Sequence, residues 1–120
     1  MAEFALVATI FFIILFGAID LGRGVFQYNL LANSAREGAR TAILQSNTDS
    51  EVIDRTVQTS SGLLSSGDVT ISGSRSCNSV PCPSVTITVQ HVFTPITPLI
   101  GSLIGGGITM TASSTMVVEK

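Results

Sequence analysis

Charge is scarce in this chain of 120 residues. Asp, Glu, Lys and Arg make up 12% of it, well below the usual quarter. The net charge is −2, so no electrostatic case exists for nucleic acid or for an anionic membrane surface. Tryptophan is absent and aromatic residues are 6% of the chain. With no C-x-x-C-H haem motif either, an electron-carrying wire is disfavoured. His91 is the single histidine beside two cysteines, too few for the four ligands of a structural zinc site. The chain also lacks a G-x-S-x-G elbow, a phosphate loop and H-E-x-x-H. Asp49, Glu51, Asp54 and Asp68 read as surface and capping residues, not as a catalytic pair. The expectation is no enzyme, no catalytic residue, no metal and no cofactor. N-glycosylation sequons are missing too.

What is present is unevenly spread. Apolar residues are 45% of the chain, and the N-terminal third holds a disproportionate share. Ser and Thr supply nearly a quarter, a composition that suits a protein outside the cytosol or packed against copies of itself. The cysteines stand close together in CNSVPC, Cys77 to Cys82. Their spacing misses the C-x-x-C redox motif. A local disulfide around Pro81 is expected, worth roughly 2 kcal/mol by loop entropy, in an oxidising compartment. Two unpaired thiols in a loop are the alternative.

The run EFALVATIFFIILFGAID, residues 3–20, is bracketed by Glu3 and Asp20. Phe4 to Ile19 carries no charge. It is about 16 residues, or ~24 Å as a helix, against ~30 Å of bilayer hydrocarbon. Extending it to Val25 brings in Asp20 and Arg23, and Arg23 can snorkel to the interface. A secretory signal peptide needs a basic region before the apolar run, but Glu3 stands there and no Lys or Arg precedes Arg23. The segment is therefore expected to be retained.

The helix continues past the apolar run, since no proline occurs from Leu21 to Leu44. Leu21, Val25, Tyr28, Ala32, Ala35, Ala39 and Ala42 form one helical stripe. Its far half is all alanine, which invites close approach. Asn29, Asn33, Arg36 and Arg40 form a polar stripe, and Glu37 is placed to pair with Arg40. Gly17, Gly22, Gly24 and Gly38 weaken a helix by ~1 kcal/mol each relative to Ala, which tight packing of neighbours offsets. The prediction is one helix of about 40 residues, roughly 60 Å long. Its lower half would lie in lipid or in a bundle of copies. Its upper half would be covered by its own domain.

Beyond it, Thr48-Asp49-Ser50-Glu51 is a capping-box pattern opening a short helix that breaks near residue 61. Val69 to Ser72 reads as a short strand. Ser84 to Phe93 is the clearest strand, with Val85, Ile87 and Val89 alternating with Thr86, Thr88 and Gln90. His91 continues the Val85 face and is read as structural or solvent-facing. Pro95 and Pro98 interrupt regular structure, and IGSLIGGG reads as a flexible apolar loop. A last strand begins at Ile108 and extends through Met116 to Glu119. The fold class is α+β: a long N-terminal apolar helix packed against a small C-terminal antiparallel sheet. Residues 1–25 form a membrane-spanning or filament-core segment, and residues 26–120 a small head domain, with the helix continuing to about 44.

EFALV at 3–7, FGAIDLGR at 16–23 and NSAREGAR at 33–40 resemble the TadE-like pilins of the tight-adherence branch of type IV filaments. The resemblance covers the N-terminal third. The remainder agrees in character only, as a small β-rich region with a terminal strand. The resemblance implies a type IV pilin-like fold and a precursor inserted in the inner membrane. It also implies a leader removed by a prepilin peptidase, and assembly by pilus machinery through the N-terminal helix. In such pilins a Glu near the mature N-terminus meets the terminal amine of a neighbouring subunit, and Glu3 inherits that role. Glu3 stands closer to the visible start than the family acid does, which points to an alternative start at Met1 or to missing residues. The assembly surface is expected on Glu3, Phe4, Leu6, Phe11, Phe12, Phe16, Asp20 and Arg23. Asp20 either pairs with Arg23 or another subunit, or simply faces water.

The leading expectation is a pilin that polymerises with copies of itself into an extracellular filament at the cell surface. One alternative is a minor pseudopilin that stays in the membrane to prime or cap such an assembly. The other is a membrane-anchored module whose Ser/Thr-rich β region binds a surface.

Overall fold

In a computed structural model the chain is described over residues 2–120, apart from the side chains at positions 2, 99 and 103. Met1, where the expected segment 1–25 begins, lies outside them. Helix α1 runs Ala2–Ala42 over 41 residues, ~62 Å at 1.5 Å per residue, in a molecule of 76 × 23 × 19 Å. The first proline comes at Pro81, so nothing interrupts the helical ladder. Hydroxyls inside the helix turn back onto carbonyls four residues earlier: Thr9 onto Ala5 at 2.8 Å, Ser34 onto Leu30 at 2.8 Å, Thr41 onto Glu37 at 2.9 Å.

The helix stops slightly before the expected residue 44 because side chains take its last carbonyls. Arg75 Nε donates to Ala42 O at 3.1 Å, and its Nη2 donates to Asn47 O at 2.6 Å. Asn47 Nδ2 donates to Thr41 O at 3.0 Å. A guanidinium at this position also complements the negative end of the helix dipole. Arg75 is further ion-paired with Asp49 at the start of the next helix. Helix α2, Asp49–Thr59, opens on the expected capping box. Glu51 N donates to Thr48 Oγ1 at 3.3 Å, and Thr48 N donates to Glu51 Oε2 at 2.6 Å. It closes at Ser60, after which Ser61 and Gly62 take positive φ angles of 54° and 84°.

Strands β1 (Val69–Gly73), β2 (Ser84–Phe93) and β3 (Ile108–Val117) form an antiparallel sheet in the order β1-β2-β3. The register pairs Val69 with Val89 and Ile87 with Ser114. On β2, Val85, Ile87 and Val89 are fully buried. They pack in one core with Leu31, Ala35, Ala39 and Ala42 of α1, Val52 of α2 and Ala112 of β3. The alanines let the sheet come close to the helix axis, and the β-branched side chains of β2 fill the remaining space. Gly38 serves the same contact. A Cβ there would collide with Thr56 Oγ1 and lie 3.2 Å from Ile87 Cγ2. The α+β architecture is the one the sequence led us to expect.

Two local expectations are corrected. A short helix, α3, Pro98–Leu103, starts at a proline read as interrupting regular structure and takes in the first half of the stretch read as a flexible loop. Pro98 stands at its start, where a fixed φ and a missing N–H suit a first helical turn. Glu37 pairs with Arg55 of α2 at 3.7 Å, across the helix–helix contact, instead of with Arg40 on its own helix.

Candidate assembly surface

The first half of α1 stands clear of the head. Phe4 is 80% exposed, and Leu6, Phe11, Phe12 and Phe16 are each at least half exposed. Phe12 stacks on Phe16 one turn later with ring centroids 6.1 Å apart, and meets Phe11 edge-on at 5.6 Å. Ile10, Ile13, Ile14, Leu15 and Ile19 are also exposed, so the segment is apolar all round, not on one stripe. A helix of that kind belongs in lipid or among other helices. By length and composition α1 is able to cross a membrane. Glu3 lies exposed in its first turn, where the helix dipole favours a carboxylate.

Asp20 ends this bare segment and does not face water. It is 3% exposed. Its Oδ1 accepts the backbone N–H of Ile96 at 3.0 Å, and its Oδ2 accepts that of Thr97 at 2.8 Å. Arg23 Nη1 approaches Oδ1 at 3.5 Å, so the helical pair with Arg23 forms but is the longer contact. The Arg23 guanidinium lies 5.8 Å from the centroid of the Phe93 ring, within cation–π range. Asp20 thus fastens the β2–β3 connection to α1 where the helix leaves the head. Ile100 of α3 completes the fastening: its Cδ1 lies 3.4 Å from the place a Cβ on Gly17 would occupy.

Above Asp20 the apolar surface continues. Leu21, Val25, Phe26 and Tyr28 are 71%, 56%, 63% and 50% exposed. Leu21, Val25 and Tyr28, the lower half of the predicted stripe, line one side of an apolar groove of about 430 Å³. Phe93, Pro95, Ile100, Ile104 and Met110 line the other. The alanine half of the stripe is covered by the sheet, as described above. Cys77 and Cys82 are joined by a disulfide at the far end of the head.

Of the residues singled out in the sequence, Glu3, Phe4, Leu6, Phe11, Phe12 and Phe16 share the bare segment. Asp20 and Arg23 instead belong to its junction with the head. The N–H groups of Ile96 and Thr97 and the caps made by Arg75 were not foreseen. Their partners lie far away in sequence, and no local pattern announces them. Among the described residues no cluster of His, Cys, Asp and Glu is placed to hold a metal.

Residues 1–40 match the model of the TadE-like protein family. The match covers α1 almost to its end and none of the sheet. No curated protein and no solved structure matches the chain.

Proposed function

We propose that this chain is a structural pilin of the tight-adherence type, polymerising through α1 into a filament outside the cell. The observation that carries this reading is the all-round apolar, exposed first half of α1, lying within the region matched by the TadE-like model. Before assembly the segment sits in the inner membrane, where a prepilin peptidase and the assembly machinery act on it. In the filament it forms the core and the β-sheet heads form the outside. A contact repeated head to tail without closing gives a helical polymer.

The chemistry of that exchange follows from the solvent. Lipid tails are as apolar as Leu, so moving α1 from bilayer to bundle changes its apolar solvation little. Packing and polar contacts must then fix the register. Glu3 supplies one. A carboxylate in an apolar surrounding is costly unless paired, and pairing it with a neighbour's terminal amine relieves the cost. Removing one partner strands the other, so the pair penalises wrong registers more than it adds net stability.

Filaments sheared from the native cell surface, examined by mass spectrometry and electron cryomicroscopy, test the proposal. This chain should be the dominant protein, on a helical lattice with α1 at the centre. Its presence only in trace, with the bulk in membranes, would turn the reading to a minor pseudopilin. Glu3→Ala should sharply lower filament yield while the precursor still inserts. Normal yield would remove the role given to Glu3.

A further inference from the structure

The membrane-inserted state proposed above has a consequence for the head. We infer that the β2–β3 connection, residues 94–107, is a second membrane-contacting element. It rests at the boundary between hydrocarbon and headgroups, sheathing Asp20 from the lipid.

The composition suits that place. No Asp, Glu, Lys or Arg occurs between Arg75 and Glu119. The connection itself reads TPITPLIGSLIGGG, with Ile96 68% exposed and Ile104 36% exposed. These side chains are continuous with the apolar surface of α1, because Asp20 and the contact of Ile100 with Gly17 hold the connection against the helix.

The length of the span points the same way. Phe4 to Ile19 is about 16 residues, ~24 Å, short of the ~30 Å of hydrocarbon. With Asp20 buried beneath the connection, its charge no longer ends the lipid-facing surface. Leu21, Val25 and Phe26 extend that surface, and Phe4 to Phe26 is about 23 residues, or ~34 Å. Arg23, the one charge left in this stretch, has a partly exposed side chain long enough to reach the interface. The groove of about 430 Å³ between α1 and the connection opens at the same level, and apart from Asp20 and Tyr28 its lining is apolar.

Irregular backbone is tolerated near lipid only when its polar groups are satisfied. Ile96 and Thr97 donate to Asp20. Gly101 N donates to Thr97 O at 3.0 Å, Ile104 N to Ile100 O at 3.1 Å and Gly106 N to Gly101 O at 2.8 Å. Pro95 and Pro98 have no N–H to satisfy.

The absence of tryptophan makes the test clean. Single-Trp variants of the full chain, Phe11→Trp, Ile96→Trp, Ile104→Trp and Ser72→Trp, are reconstituted dilute in phosphatidylcholine vesicles with or without acyl-chain bromine. The inference expects blue-shifted emission and loss of intensity to brominated lipid at 11, 96 and 104, and neither at 72. Quenching at 11 but not at 96 and 104 overturns it and leaves the anchored helix standing. Blue-shifted but unquenched emission at 96 also overturns it, since a protein surface would then cover the connection. No quenching at 11 removes the inserted state itself, and this inference with it. Asp20→Ala in the Ile96→Trp chain should cut the quenching at 96 and spare an Asp20→Ala, Phe11→Trp chain. Unchanged quenching at 96 would overturn the part assigned to Asp20.

Discussion

Helix α1 is one continuous rod with two kinds of surface. Below Asp20 it presents large apolar side chains that its own domain leaves bare: Phe4, Phe11, Phe12 and Phe16. From Leu31 onward its inward face is Ser34, Ala35, Gly38, Ala39 and Ala42, small residues hidden under the sheet. The size of the side chain divides the labour. Small residues let the chain's own strands approach the helix axis and close a core. Large ones in the bare half touch one another but are left exposed by the head, so lipid or neighbouring copies must cover them. The upper half therefore governs the stability of the head, and the function proposed above gives assembly to the lower half.

The largest effect that divides the halves comes from truncation. Ile87, fully buried in the middle of the sheet against α1, should destabilise the head by ~2–5 kcal/mol when changed to Ala. Phe11→Ala removes a larger side chain but should leave thermal unfolding in detergent unchanged and lower filament yield. A comparable drop in melting temperature for both variants would break the division.

Glycines sharpen the same contrast at a smaller scale. Gly38→Ala gains about 1 kcal/mol in helix propensity. The new Cβ runs into Thr56 and Ile87, and overpacking of that kind costs ~1–3 kcal/mol. Thr56 is fully buried, with its hydroxyl tied to Val52 O at 2.7 Å, so it has little room to yield. Gly22, with nothing within 4 Å of its would-be Cβ, should be stabilised or unchanged by the same substitution. Chemical denaturation of the two variants in detergent checks this, and equal shifts would show that propensity alone is at work.

Much of this was readable from the sequence. The unbroken 3.6-residue pattern, the lack of proline and the alanine stripe gave the long helix and its covered half. The capping box gave the start of α2, and alternation gave β2 to the residue. Local rules supplied these elements because the competing forces were local. What remained hidden was set by distant contacts. Asp20 is tied to Ile96 and Thr97, far along the chain. Glu37 chose Arg55 over its helical neighbour Arg40. Arg75, in the segment between the strands expected at 69–72 and 84–93, caps α1. The short helix α3 hides in a glycine-rich stretch because six residues leave too brief a periodicity to detect.

The Asp20 junction is where the two halves meet, and it is expected to respond locally. Asp20→Asn retains the shape but removes the charge and one acceptor oxygen, so one of the two N–H bonds weakens. Amide hydrogen exchange at Ile96 and Thr97 should quicken while the core strands keep their protection. Faster exchange throughout β2 would mean that the junction supports the whole head. No change at either amide would mean that Asp20 does not hold the connection.

The smallest difference is electrostatic and belongs to the head. Glu51 is held below its ordinary value of 4.5, first by the Thr48 backbone N–H and then by the Thr48 hydroxyl. Asp68 is held below its ordinary 3.8 by the backbone N–H of Ser65 and then by its hydroxyl. A carboxyl with a lowered folded pKa binds its proton more readily when unfolded, so its stabilisation is complete above the ordinary value. It declines as pH falls towards the folded value and is gone below it. Both groups sit at exposed caps, where solvent screening keeps such effects small. Melting temperature followed downward through pH 4.5 and 3.8 should fall less steeply in a Glu51→Gln, Asp68→Asn double variant than in the native chain. The two profiles should converge at the acid end, because the charges that separate them are by then neutral in both folded proteins. Parallel profiles would assign the acid sensitivity to other groups and leave the caps as neutral hydrogen bonds.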